Sequence, residues 1–206
     1  MMRLYDSRRA PNPRRVRWVM AEKGIEDIEI VQTDILKGEH RAPDYVARAG
    51  LANVPALEID AETTITESIA ICRYLESVYP EPNMFGTDPR ETAVIEMWMR
   101  RAEMLLATPL MMSVRHGHPA LAAIETQIPA IAESNAAAAT RAIKVFDRRL
   151  AESEFIAADR VTIADVVAIA GIDFARMVKF APAPEHVHVA RWMGAMRNRP
   201  AASAGV

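Results

Sequence analysis

The stretch Asn53-Val54-Pro55-Ala56-Leu57-Glu58-Ile59-Asp60-Ala61-Glu62-Thr63-Thr64-Ile65-Thr66-Glu67-Ser68 sets the reading of the whole chain. Two short β-like runs, Ala56 to Ile59 and Thr63 to Ile65, flank a polar turn at Asp60 to Glu62, which predicts a hairpin. Thr66-Glu67-Ser68 then opens a helix whose apolar positions Ile69, Cys72, Tyr74, Leu75 and Val78 recur at helical spacing. Pro55 stands just ahead of the first strand, where its missing N–H is tolerated. A helix start with free N–H groups, a hydroxyl and a carboxylate can hold both charged groups of a zwitterion: amides and Ser68 a carboxylate, Glu67 an ammonium. The same residues also suit an ordinary capped helix.

Upstream of this stretch, Arg3-Leu4-Tyr5 reads as a strand, Asp6 to Pro13 as a loop, and a helix follows with Val16, Val19 and Met20 on one face. Gly24 is its natural stop. Residues 28–33 alternate like a strand, so the chain opens β-α-β with a parallel pair. A polar loop at Lys37 to Arg41 and a short helix over Pro43 to Arg48 lead back to the hairpin. The order βαβ then ββα is that of a thioredoxin-like layer.

Downstream, residues 80–89 read as a linker, and after it the β signals nearly vanish. Arg90 to about His116 is one helical pattern with Pro109 as a kink; Leu121 to about Ala151 is a second, with Pro129 as another. Ile163 to Val178 and Val187 to Met196 supply two more helices. Thr162 and Asp165 form a capping-box variant at the start of the first of these. The expected organisation is therefore α/β plus all-α: a thioredoxin-like domain over 1–80, a linker over 81–89 and a helical bundle over 90–206.

With 206 residues, half of them apolar, either one large or two small cores can be built. A formal charge of −2 gives no support for nucleic acid as the main partner. Cys72 is the single cysteine, which excludes an internal disulfide and any Cys-x-x-Cys metal or redox motif; it reads as a small buried hydrophobe. No apolar run reaches the roughly 20 residues of a membrane span, and Met1-Met2-Arg3-Leu4-Tyr5 lacks a signal peptide's apolar core, so a cytoplasmic protein without membrane partners is expected.

Val54-Pro55-Ala56-Leu57 followed by Thr66-Glu67-Ser68-Ile69-Ala70-Ile71 resembles the glutathione-binding half of cytosolic glutathione S-transferases. Leu4-Tyr5-Asp6-Ser7, Arg14-Arg15-Val16-Arg17 and Ala21-Glu22-Lys23-Gly24 are similar to that family's first β-α unit, and Lys37-Gly38-Glu39-His40 to the loop that meets the glycine carboxylate. Arg101-Ala102-Glu103 and Arg115-His116-Gly117-His118-Pro119 look most like the fungal and bacterial subgroup with an atypical active site. The resemblance implies a cis Val54-Pro55 bond, with Val54 pairing its backbone with the cysteinyl unit of glutathione. Asn53, Glu67 and Ser68 belong to the same binding surface, and Lys37 and His40 face the glycine end. It also implies a homodimer, with glutathione as co-substrate and no metal.

The nucleophile of such a reaction is the glutathione thiolate. Lowering a thiol near ~8.5 by two units takes about 2.7 kcal/mol, within reach of one or two charge-assisted hydrogen bonds. The family's usual hydroxyl position falls on Ala10 or Pro11, neither of which can donate. Asn12 stands beside it and reads either as a donor or as a helix N-cap. Ser113 and His116, three apart on a second-domain helix, could hold an activating water as that subgroup does. Met111, Met112 and Arg115 are candidate walls of the second-substrate pocket, and an arginine cluster (Arg8, Arg9, Arg14, Arg15, Arg17) reads as a positive rim or a solvated helix face. The expected function is conjugation of glutathione to small hydrophobic electrophiles in detoxification. A non-catalytic glutathione-binding or interaction protein and a glutathione-dependent isomerase stand as alternatives.

Overall fold

The computed structural model describes residues 1–204, which divide into a unit formed by Met1–Pro82 with the tail from Pro200, and a second unit formed by Asn83–Arg199.

The first unit carries β1 (Arg3–Asp6), α1 (Pro11–Lys23), β2 (Glu29–Gln32), α2 (Pro43–Ala49), β3 (Ala56–Glu58), β4 (Thr64–Thr66) and α3 (Ser68–Val78). The sheet runs β2-β1-β3-β4, with β1 parallel to β2 and antiparallel to β3, and β3 antiparallel to β4. This is the thioredoxin-like layer expected from the order of elements. The hairpin forms because the Asp60 carboxylate accepts the amides of Glu62 and Thr63 at 2.9 and 2.8 Å, which also lowers its pKa. Strand alternation sends Leu4 and its partner Leu57 to one face and Tyr5 with Ala56 to the other. Under the second face lies a small core of Tyr5, Tyr45, Ala49 and Ala56, edged by Val31, Ala42, Val46 and Val54. That core is what seats α2 on the sheet. α1 and α3 pack together and bury Val16, Val19, Ile71, Cys72 and Leu75. Gly24 ends α1 in the left-handed conformation (φ 64°) that glycine adopts without steric cost. The Lys23 ammonium, one residue earlier, donates to the carbonyls of Tyr79 and Pro82 at 2.8 Å each and pairs with Glu76 at 2.7 Å.

The second unit holds α4 (Pro89–Arg101), α5 (Thr108–Gly117), α6 (Pro129–Ala151), α7 (Ile163–Phe174) and α8 (Val187–Arg197). Asp88 caps α4 by accepting from the amides of Arg90 and Glu91. The pattern over Arg90 to His116 is continuous through Pro109, and the distortion has an identifiable form. Residues Ala102–Ala107 make a π-helical turn in which the Thr108 amide reaches the Glu103 carbonyl, five residues back, just ahead of the proline. Pro129 corrects the sequence expectation. It does not kink a helix that began at Leu121; it is the first residue of α6, Ile128 before it is extended, and only a 3₁₀ turn spans Pro119–Leu121. A proline pushes its predecessor out of helical backbone, and the residues before it are bonded outside any helix: the Ile128 amide donates to His116 Nδ1 at 3.2 Å and Gln127 donates to the carbonyls of Arg115 and His118 at 2.9 and 2.7 Å.

α7 is buried on every side from Ile163 to Ile172. Its start is the expected capping box. The buried Asp165 carboxylate accepts from the Thr162 amide and hydroxyl at 3.0 Å each, and from the Ile156 amide and the Trp192 indole N–H at 2.9 Å each. Gly171 is required by contact rather than by conformation, since a Cβ there would lie 2.8 Å from Ala107 Cα and Cβ.

Candidate functional site

In the first unit, the register of the hairpin decides which predicted residues meet. Ala56 pairs with Thr66 as the last rung of the antiparallel ladder, so Val54-Pro55 lead into that rung and Glu67-Ser68 lead out of it. The Val54–Pro55 bond is cis, as the resemblance implies; Glu81–Pro82 is cis as well, which the sequence reading did not anticipate. No described residue bonds the Val54 N–H or C=O. An open donor-acceptor pair just ahead of a strand is what an extended peptide can join as an added strand.

Ser68 begins α3, and the residue before it, Glu67, has φ 67° and ψ 118° and makes no side-chain cap bond. The first turn of α3 contains no acidic residue. Its N–H groups are left for an anion. Ser68 is buried, and its Oγ accepts a hydrogen bond at 3.3 Å from Nη1 of Arg15, which is buried too. Glu67 is exposed.

The loop before α2 is shaped by Asp34, whose Oδ1 accepts from the amides of Leu36 and Lys37, while Glu39 accepts from the Asp34 amide. Among the described residues Lys37 is held only by a 3.6 Å contact to Asp34, and its side chain is 75% exposed, so its ammonium is available to a ligand. His40, by contrast, is buried, and its Nδ1 has no hydrogen-bond partner among the described residues. Burial, with the neighbouring Arg41 second, holds its pKa below the ordinary histidine value.

Asn53 is exposed, but its carbonyl is fixed by the Tyr45 hydroxyl. Burial, and then the nearby Tyr5, push Tyr45 up to about 12, so it acts as a donor at any working pH. Tyr45 stands edge-on to Tyr5 at 5.6 Å, and Tyr5 in turn donates to Glu58 at 3.0 Å and receives a bond from Arg48 at 2.6 Å.

Asn12 is the second residue of α1, whose cap position is Ala10. The N-cap reading of Asn12 is therefore corrected. Its Oδ1 is buried without a hydrogen-bond partner among the described residues. The arginine cluster is also not a uniform rim. Arg8 and Arg9 are exposed, Arg14 lies over the Trp18 ring, Arg15 is buried against Ser68, and Arg17 pairs with the buried Asp6. Gln32 bonds the other Asp6 oxygen at 2.7 Å, so the strand-to-helix loop that precedes Asn12 is anchored from two sides.

In the second unit, Ser113 and His116 are both buried on α5. His116 Nδ1 accepts the Ile128 amide at 3.2 Å, so the neutral ring carries its proton on Nε2. Its Nδ1 is thus engaged by the residue before α6 rather than by its own helix. Arg115 is exposed and paired with Glu125 at 2.7 Å, and Met111 and Met112 are half-buried. Trp98 packs on Phe146, with Arg101 over its ring at 4.7 Å, as part of the core.

Cys72 is fully buried and its thiol is pushed up to about 12 by desolvation. A thiolate for chemistry must come with the ligand. Sequence reasoning placed Arg15 only in a rim or a solvated helix face and passed over Tyr45. Arg15 precedes Trp18 and Val19 by three and four residues, so it falls on the buried stripe of α1, a signal that was legible. Nothing local marks Tyr45 as a partner of Asn53.

Two family models match the chain: the glutathione S-transferase N-terminal domain over residues 1–77 and the C-terminal domain over residues 103–200. Glutathione S-transferase 2 of Saccharomyces cerevisiae is 33% identical over 203 residues, covering 97% of this chain and 87% of the yeast protein. A glutathione S-transferase domain-containing protein from Marinobacter aquaeolei superposes with a TM-score of 0.92 at 36% identity, over 97% of this chain and 98% of that one. The crystal structure of Gtt2 from Saccharomyces cerevisiae gives a TM-score of 0.92 at 31% identity, over 99% and 100%.

Proposed function

The chain belongs to the glutathione S-transferase family and is a glutathione transferase, and from that premise we propose that it joins the glutathione thiolate to small apolar electrophiles. The observation that carries this reading is the open backbone pair of Val54 ahead of β3, whose last rung leads out into the uncapped helix start at Ser68. Val54 pairs with the cysteinyl unit, with Pro55 and Asn53 shaping that edge. Ser68 and the first amides of α3 take the γ-glutamyl carboxylate, and Glu67 its ammonium. Lys37 and His40 take the glycine carboxylate. One trapped thiolate then attacks the electrophile, forming a carbon–sulfur bond as the leaving group departs or as a double bond takes up a proton.

Three side chains are proposed as donors to the thiolate or to a water on it: Asn12, Ser113 and His116, the last through Nε2. Met111, Met112 and Arg115 are proposed to line the second-substrate pocket. Detoxification in the cytoplasm by a homodimer is the biological setting in keeping with the family. No helix among the described residues is long and apolar enough to cross a membrane.

Titration of bound glutathione by thiolate absorbance tests the reading. An apparent pKa clearly below that of the free thiol, returned towards it in Asn12→Ala, Ser113→Ala or His116→Ala with conjugation slowed at least about tenfold, is expected. Glutathione that binds but titrates like the free peptide would leave a binding protein without transferase chemistry.

A further inference from the structure

Arg15 and Ser68 come from different helices of the first unit, and both are at least nine-tenths buried, at 5% and 4% exposure. Nη1 of Arg15 donates to Ser68 Oγ at 3.3 Å. A serine hydroxyl has one proton and two acceptor lone pairs, whereas a guanidinium only donates and stays charged at every working pH. The contact therefore occupies one lone pair and leaves the Ser68 proton pointing away from Arg15. We propose that Arg15 is a positioning residue that commits Ser68 to donating, so that the start of α3 selects a ligand carboxylate over a neutral group.

Apart from the exposed Glu67 carboxylate, the polar groups of this helix start are donors. The residue in the cap position, Glu67, makes no side-chain cap bond, and the first turn has no acidic side chain to occupy the free amides. A donor-only surface backed by a buried cation attracts an anion more strongly than a hydroxyl alone, because hydrogen bonds to charged groups are the stronger class. A neutral ligand group gains little from it, since both the hydroxyl that Arg15 holds and the guanidinium charge behind it favour an anion. The effect of Arg15 should thus fall on one part of the ligand.

The inference rests on the reading that the γ-glutamyl carboxylate of glutathione meets Ser68. Its test is a comparison of two peptides by calorimetry: glutathione, and 4-aminobutanoyl-Cys-Gly, which keeps the ammonium and lacks that carboxylate. The unaltered protein should prefer glutathione by about tenfold or more, the range of a hydrogen bond to a charged group. Ser68→Ala should shrink that preference. Arg15→Gln should shrink it similarly while leaving affinity for the analogue unchanged, and the double variant should be no worse than Ser68→Ala. Arg15→Lys, which keeps the cation in place with a simpler donor, should retain part of the preference and serves where melting shows that Arg15→Gln does not fold. Equal weakening of both peptides in the Arg15 variants would make Arg15 a strut between helices and overturn the inference. So would an unchanged preference. A preference absent in the unaltered protein, or intact in Ser68→Ala, would instead overturn the placement of the carboxylate.

Discussion

The hydroxyl of Tyr45 donates to the carbonyl of Asn53, so a side chain of α2 holds the backbone one residue ahead of Val54. A phenol kept protonated by its own burial does not exchange this role for any other at working pH.

Tyr45→Phe should keep the packing on Tyr5 and release the Asn53 carbonyl. Because Asn53 is exposed, water can replace the lost donor, and the stability cost should stay at about 0.5–1.5 kcal/mol. The effect on the ligand should be larger in kind. With Val54 less well placed, KM for glutathione should rise roughly fivefold, a loss near 1 kcal/mol, while kcat changes little. Steady-state kinetics at saturating electrophile decide it; a fall in kcat with KM intact would contradict the role.

Glu67 has a positive φ that glycine adopts freely and a glutamate does not. Glu67→Gly should therefore raise stability by about 1 kcal/mol in urea unfolding and weaken glutathione binding, because the carboxylate is gone. Stability and affinity moving in the same direction would show that the conformation is not held for the ligand.

His40 gives the protein a pH dependence whose sign can be worked out. Burial first, and Arg41 second, lower its folded pKa, so above the unfolded value of about 6.5 both states carry a neutral ring. As pH falls through about 6.5 the unfolded chain takes up its proton first, and stability is lost until the lowered folded pKa is passed. His40→Gln should lose less stability than the unaltered protein between about pH 7.5 and 5. Parallel melting curves for the two would refute this.

Asp165→Ala should be among the most damaging changes in the second unit. It leaves the buried Trp192 N–H and the Ile156 amide without their acceptor and removes the cap of α7. A loss of about 3 kcal/mol or more is expected from orphaned buried donors, measured by denaturant unfolding. A loss under about 1 kcal/mol would mean that water replaces the carboxylate.

Most of the fold was legible because it is local. The Asp60 turn, the Gly24 stop and the Thr162–Asp165 capping box each act over a few residues, and each formed where the residues pointed. Pro129 was misjudged for a physical reason: a proline within an apolar pattern kinks or begins a helix according to what packs on the preceding turn. The proposed glutathione edge, from Val54-Pro55 to Ser68, could be read from the sequence because it, too, is one continuous stretch. Its supports were not. Arg15 reaches Ser68 across 53 positions and Tyr5 reaches Glu58 across 53, pairings that no periodicity announces.

The grip of Lys23 on the carbonyls of Tyr79 and Pro82 spans 56 and 59 positions. The entropy of closing a loop grows only slowly with its length, whereas packing α1 on α3 needs no help from this ammonium. We therefore expect Lys23 to behave as a latch rather than as a nucleus: Lys23→Met should quicken the opening of the first unit more than it slows its formation, read from the two arms of a folding chevron.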